Sequence, residues 1–167
     1  MRTVSLLSQE MLNDLVSFTF KQNSVADNAV YFLEHQHYEN IARIVHSTYA
    51  HLFGGLADRI TDFAKNEGVR IYRKGFEGDT EDFEDLEAVF IKLLEKFEEY
   101  QDLVFRCIEV AENNGDINVK TFLEEYSLNL GIYNRQLHVW LARVASHEYQ
   151  VSLEANFSKF TFIPEND

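Results

Sequence analysis

The side chains in this sequence able to do chemistry are carboxylates and imidazoles rather than thiols or nucleophilic serines. His51 and Asp58 stand seven residues apart. On a helix that spacing puts them on one face, where they offer a metal ion one nitrogen and one oxygen donor. An exposed imidazole and a solvated carboxylate explain the same two letters without a ligand. The densest run of potential ligands is Glu34-His35-Gln36-His37-Tyr38-Glu39, in which Glu34 and His37 have Glu-x-x-His spacing. It reads either as a surface or interface metal site or as a polar turn. Seven acids crowd the stretch 77–87: Glu77, Asp79, Glu81, Asp82, Glu84, Asp85 and Glu87. They read as a path that gathers cations or as the solvated start of a helix. They lack the Asp-x-Asp-x-Asp-Gly order of an EF-hand. Cys107 is the only cysteine, which excludes an internal disulfide and a Cys-based zinc site. Nothing reads as a Gly-rich phosphate loop, a Ser-His-Asp set or a Cys-x-x-Cys pair.

The elements that must position these groups are helices. The only proline is Pro164, near the end, so nothing interrupts long helices before it. Apolar residues recur at helical spacing in four stretches. The first holds Met11, Leu15, Phe18, Val25, Ala29 and Phe32, with Gln22 on the same stripe; the second runs from Ile41 through Tyr49, Leu52 and Leu56 to Phe63. The third holds Leu86, Phe90, Leu93, Phe97, Tyr100, Val104, Cys107 and Ala111, and the fourth Val119, Phe122, Tyr126, Leu130, Tyr133, Leu137, Trp140 and Val144. The spacing predicts helices over about 8–36, 40–67, 81–112 and 117–146, with a short fifth over 150–160. Thr80 is the expected N-cap of the third, with Glu81 and Asp82 in its first turn. On the fifth, Val151, Leu153, Phe157 and Phe160 form an apolar stripe expected to be exposed for packing at a symmetry axis.

Short turns join the first to the second helix and the third to the fourth, while residues 69–80 lack periodicity and read as a long crossover. That order predicts an all-α, up-down-down-up four-helix bundle with one long connection, as a single domain over 1–167. The chain carries 28 Asp and Glu against 15 Lys and Arg, a formal charge of −13, which disfavours binding to nucleic acid. No apolar run approaches the ~18–20 residues of a membrane span, and no signal-peptide core is legible at the N-terminus. The expectation is a soluble, cytoplasmic protein with neither a nucleic-acid nor a membrane partner.

With its helix lengths, crossover position and extra C-terminal helix, the chain resembles bacterial non-haem ferritins. Local wording carries the likeness: Leu7-Ser8-Gln9-Glu10-Met11, Ala64-Lys65-Asn66-Glu67-Gly68, and Ala111-Glu112-Asn113-Asn114-Gly115-Asp116 followed by Phe122-Leu123-Glu124-Glu125-Tyr126. The resemblance implies a hollow homo-oligomeric cage of 24 subunits that takes up Fe(II), oxidises it at a di-iron centre inside each bundle and stores it as ferric mineral. It also implies ligands from a Glu in helix one, a Glu-x-x-His in helix two, a Glu in helix three and a Gln or Glu in helix four. Those positions fall here on Phe18 or Gln22, on Leu52 and Gly55 or Gly55 and Asp58, on Phe97, and on Leu130 or Gly131. The usual centre is therefore expected to be absent or strongly altered. The metal-ligand candidates are His51 and Asp58, near where the helix-two ligands lie, and Glu124, near where threefold pores carry acids. The leading expectation is iron storage or sequestration in such a cage, with iron as the bound metal. The alternatives are a ferroxidase using a relocated site at His51, Asp58 or Glu95, and a non-catalytic structural bundle. The DNA-protecting dodecameric relatives fit less well, because their helix-two His and Asp spacing is not reproduced.

Overall fold

The computed structural model describes residues 3–146 and 150–166. Its helices are α1 (Leu6–His35), α2 (Glu39–Val45), α3 (Leu52–Asn66), α4 (Leu86–Asn113), α5 (Ile117–Ser146) and α6 (Gln150–Asn156). A π turn, His46–Ala50, joins α2 to α3 as one long helix, and a 3-10 turn, Phe157–Phe160, follows α6. Among the described residues everything else is loop or turn.

Local chemistry sets the ends of these helices. The Ser5 hydroxyl caps α1 by accepting from the Ser8 amide at 3.2 Å. The C-termini of α1, α3 and α4 share one cap, in which the chain turns left-handed two residues past the end: His37 (φ 67), Gly68 (φ 72) and Gly115 (φ 69). The amides that follow return to the last turn, Tyr38 to Leu33, Val69 to Ala64 and Asp116 to Ala111, at 2.8–2.9 Å. Glycine takes that backbone without steric cost at two of the three positions, whereas His37 pays for it with its Cβ. Helix α4 starts at Leu86, not near residue 81. Its N-cap is Asp85, which accepts from the Ala88 amide at 2.8 Å, so Thr80 does not cap it and Glu81 and Asp82 lie in the crossover. In a run so rich in capping side chains, the start is decided by the first buried apolar residue, Leu86.

The crossover runs along α1, held by amide and hydroxyl side chains of that helix. Asn13 donates to the Arg70 carbonyl at 3.1 Å and accepts from the Tyr72 amide. Further along α1, Ser24 accepts from the Asp79 amide at 3.1 Å and Asn28 donates to the Glu81 carbonyl at 2.8 Å. Residues 13, 24 and 28 thus meet 70–72, 79 and 81 in rising order, so the crossover returns parallel to α1 and delivers α4 to its far end. There Phe32 meets Phe83 edge to face at 5.1 Å. The result is the up-down-down-up bundle, with α1 between α3 and α4, and α5 closing the ring against α4 and, through stacked Phe63 and Phe122 at 4.2 Å, against α3.

The C-terminal segment seals one end. Leu153 and Phe157 are fully buried, with Phe157 stacked on Trp140 at 5.4 Å and against Phe90 at 5.7 Å. The expected exposed stripe is corrected accordingly: Val151 alone of the four is largely open, at 84%. Buried Gln136 of α5 fastens the segment, donating to the Phe160 carbonyl at 2.8 Å and accepting from the Phe162 and Ile163 amides. The Glu154 carboxylate accepts from the Asn40 and Ile41 amides, capping α2 from outside it. No helix among the described residues is long and apolar enough to cross a membrane.

Candidate functional site

The middle of the bundle is filled with rings and hydroxyls. Tyr49 of the π turn, Phe53 of α3 and Phe97 and Tyr100 of α4 are all at most 1% exposed, and their rings pack at 5.1–6.4 Å. Phe18 of α1 stacks on Tyr100 at 6.2 Å. Within this cluster runs a chain of hydroxyls. Thr19 donates its only proton to the Leu15 carbonyl at 2.7 Å, so at its 2.7 Å contact with Tyr100 it must accept. Tyr100 has then used its own proton, and Tyr126 of α5 must donate to it. The order is Tyr126 to Tyr100 to Thr19 to Leu15. Burial pushes the Tyr100 phenol up to about 12 and holds Tyr126 well above the ordinary tyrosine range. Both are fixed as neutral phenols.

The positions implied for di-iron ligands can now be placed. Gln22, Leu52, Phe97 and Leu130 are buried, Phe18 is half-buried, and Gly55, Asp58 and Gly131 are exposed. The inward members of those pairs are thus an amide and apolar groups. Glu95 is on the exposed side of α4. The polar residues buried among those described are Ser8, Asn13, Thr19, Gln22, Thr48, Asp116 and Gln136. The one carboxylate, Asp116, lies at an end of the bundle, where Ser5 and Ser8 donate to it.

The three candidate ligands occupy separate surface positions. Among the described residues no group of three or more His, Cys, Asp or Glu gathers as for a metal ion. Asp58 is exposed on α3, and Glu124 is exposed on α5, 3.9 Å from Lys120. Exposed His51 faces His46, with Nε2 to Nε2 at 3.1 Å, and its Nδ1 meets the Asn166 carbonyl at 3.1 Å. Asp27 of α1 lies within the field of both rings. Burial raises its carboxyl pKa, and the charges of His46 and His51 oppose that rise.

The other clusters have local duties. Of the seven acids, Asp85 caps α4, Asp82 accepts from the Phe83 amide, and Asp79 accepts from the Glu81 amide and, with Glu81, pairs with Lys92. Burial works against the Lys92 ammonium, but its bond to Glu81 and the charges of Asp79, Glu81 and Glu99 outweigh it and raise its pKa. Glu34 and His37 form the turn after α1, where the His37 amide donates to the Glu34 carbonyl at 3.0 Å.

Sequence reasoning missed His46, Thr19 and Asp27. His46 and His51 are five apart, about 140° around an α-helix, and only the π turn stacks them. Thr19 and Asp27 carry no signal in their own neighbourhood, because Tyr100, His46 and His51 come from other elements.

No protein-family model and no curated protein matches the chain. Its fold, however, is that of solved ferritin structures. A PmFTN variant soaked in iron for 5 min superposes with a TM-score of 0.84 at 18% identity, covering 90% of this chain and 99% of that one. Another PmFTN variant, soaked overnight, gives 0.83 at 17% identity over 89% and 98%. A third, soaked for 45 min, gives 0.84 at 18% over 95% of this chain and all of the other. This chain therefore has the ferritin-like fold, an all-α four-helix bundle with one long crossover and a short C-terminal helix.

Proposed function

We propose that this chain, a single ferritin-like domain over 1–167, is the subunit of a hollow cytoplasmic shell of 24 copies that sequesters iron without an intrasubunit di-iron centre. The observation that carries the reading is the fit to iron-soaked ferritins over almost the whole of both chains. The bundle interior supports the second half of it. A di-iron centre needs several anionic oxygen donors and an imidazole turned inward. The inward positions here hold Gln22, Leu52, Phe97 and Leu130 beside neutral phenols. Iron, the cargo, would then be gathered by exposed carboxylates of a shell whose subunits each carry a formal charge of −13. Asp58 and Glu124 are two such acids.

The test is the native mass of the purified protein with iron content measured on the same fraction. The reading expects about 470 kDa for 24 copies of the 19.5 kDa chain. It also expects iron uptake whose rate scales with surface nucleation and shows no fast oxygen-consuming phase at two Fe(II) per subunit. A monomer or dimer sinks the shell. A fast phase abolished by His51→Ala or Glu95→Ala would instead establish a relocated ferroxidase site, and a shell that binds no iron would leave a structural role.

A further inference from the structure

We propose that His46 and His51 form a two-imidazole site for a borderline divalent transition ion such as Zn²⁺, Ni²⁺ or Cu²⁺, built by the π turn and set by the C-terminal segment. The proposal does not depend on the iron reading, since it concerns a different face and a different class of ion.

The first observation is geometric. Two nitrogens bound to one ion at ~2.0–2.1 Å, at tetrahedral to right-angle separation, lie about 2.9–3.4 Å from each other. The His46 and His51 Nε2 atoms are 3.1 Å apart, with ring centroids at 4.3 Å and planes at 66°. The ligating atoms of both rings therefore already stand at the separation that one shared ion requires, with a tautomer shift of His46 freeing its Nε2.

The second observation is that the outer nitrogen of the His51 ring has a partner. His51 Nδ1 faces the Asn166 carbonyl, an acceptor only, so Nδ1 carries the proton and Nε2 presents its lone pair. A backbone carbonyl in that role is the usual outer partner of a metal-bound histidine.

The third observation is the construction itself. A π turn is a costly irregularity in a long helix and recurs at functional positions. Here the backbone of the two histidines is what it joins, the His51 amide donating to the His46 carbonyl at 3.1 Å. The carbonyls it displaces are taken up from elsewhere: Ser47 accepts from the Asn166 amide at 2.7 Å, Thr48 from the Asn166 side chain at 2.9 Å and Ala50 from Asn23 at 2.8 Å. The same tail residue thus stabilises the π turn and orients His51. In regular α geometry two residues five apart would point ~140° apart and could not share an ion. With two protein ligands the ion keeps open positions for water, so the site exchanges its metal rather than holding it as a structural clamp.

Zn²⁺ and Cu²⁺ titrated separately into the full-length protein test this directly. Calorimetry with Zn²⁺ is expected to give one saturable equivalent per chain. His46→Gln and His51→Gln should each weaken it by more than ~10-fold, the least that losing even an outer partner costs, while His138→Gln on exposed α5 leaves it unchanged. The Cu²⁺ form should show electron paramagnetic resonance splitting from two imidazole nitrogens in the wild type and one in either variant. Because both histidines are exposed, circular dichroism is expected to show each variant folded. Zn²⁺ affinity unaltered in both variants, or no saturable binding by the wild type, overturns the proposal. In the second case the rings share only a hydrogen bond. Neither result bears on shell mass or iron content, so the two readings fail separately.

Discussion

Replacing Tyr100 by Phe tests the hydroxyl chain at the middle of the bundle, because the chain has a direction. Tyr126 donates to Tyr100, Tyr100 to Thr19, and Thr19 to the Leu15 carbonyl. Deleting the terminal donor with Tyr126→Phe removes one hydrogen bond and leaves every remaining proton placed. The expected cost is about 1 kcal/mol. Deleting the middle hydroxyl with Tyr100→Phe removes two bonds and strands the Tyr126 proton inside a core where Tyr126 has no measurable exposure. An orphaned buried donor costs ~1–3 kcal/mol, so we expect about 2–3 kcal/mol in all, or a Tm lower by ~4–12 °C for a chain of this length. The double variant has no proton to strand. It should be no less stable than Tyr100→Phe alone, giving a coupling of about 1 kcal/mol between the sites. Urea unfolding at fixed protein concentration, followed by circular dichroism, measures all three, with concentration held because assembly adds to apparent stability. If Tyr126→Phe costs as much as Tyr100→Phe, or the two single effects simply add, the assigned direction is wrong.

Three further outcomes rest on other parts of the structure. Asp116→Ala removes a buried carboxylate that accepts from the Ser5 amide, the Ser5 hydroxyl and the Ser8 hydroxyl, and should cost roughly 2–4 kcal/mol in the same unfolding assay. His37→Gly relieves a side chain held at φ 67 on an exposed turn and should stabilise by about 0.5–1 kcal/mol, a gain that would vanish if the turn were not left-handed. Burial pushes the Cys107 thiol up to about 12, so at pH 8 the native protein should react with a disulfide reagent on the order of 10³-fold more slowly than the unfolded chain; equal rates would place the thiol at the surface.

The fold was legible because its information is local and periodic. The stripe Leu86 to Ala111 turns out buried as read, the stripe Val119 to Trp140 is buried except for half-buried Phe122 and Tyr133, and the chain breaks fall where Gly68 and Gly115 turn left-handed. Errors arose where a choice depended on another element. The acid-rich crossover offers several capping side chains, and the docking of residues 79–81 onto Ser24 and Asn28, followed by the burial of Leu86, sets the start of α4 at Asp85. Leu153 and Phe157 look like an exposed stripe on a short helix, yet the open end of the bundle at Phe90 and Trp140 takes Phe157. The His46 and His51 pair was hidden because helical periodicity assumes 3.6 residues per turn, and the turn between them departs from it. Helical spacing pairs His51 with Asp58, two turns away, and not with His46, the group that its ring meets.

Whether this bundle can oxidise iron internally comes down to charge. Iron held among the four helices would need anionic oxygens, and the polar interior groups include Thr19, Gln22 and three tyrosines, Tyr49, Tyr100 and Tyr126, that burial keeps protonated. Placing a carboxylate there does not restore a centre. Phe97→Glu would put one ionisable group into a site with no exposed surface and no partner, and would empty part of a ring cluster shared by Tyr49, Phe53 and Tyr100. Its expected result is a destabilised or unfolded bundle, with no gain of fast Fe(II) oxidation. On the proposed reading the interior has become a packing core, and iron chemistry belongs to the shell's surfaces. A folded Phe97→Glu variant that oxidised Fe(II) rapidly would mean that the helices still hold a metal-ready geometry, and would return the site to the middle of the bundle.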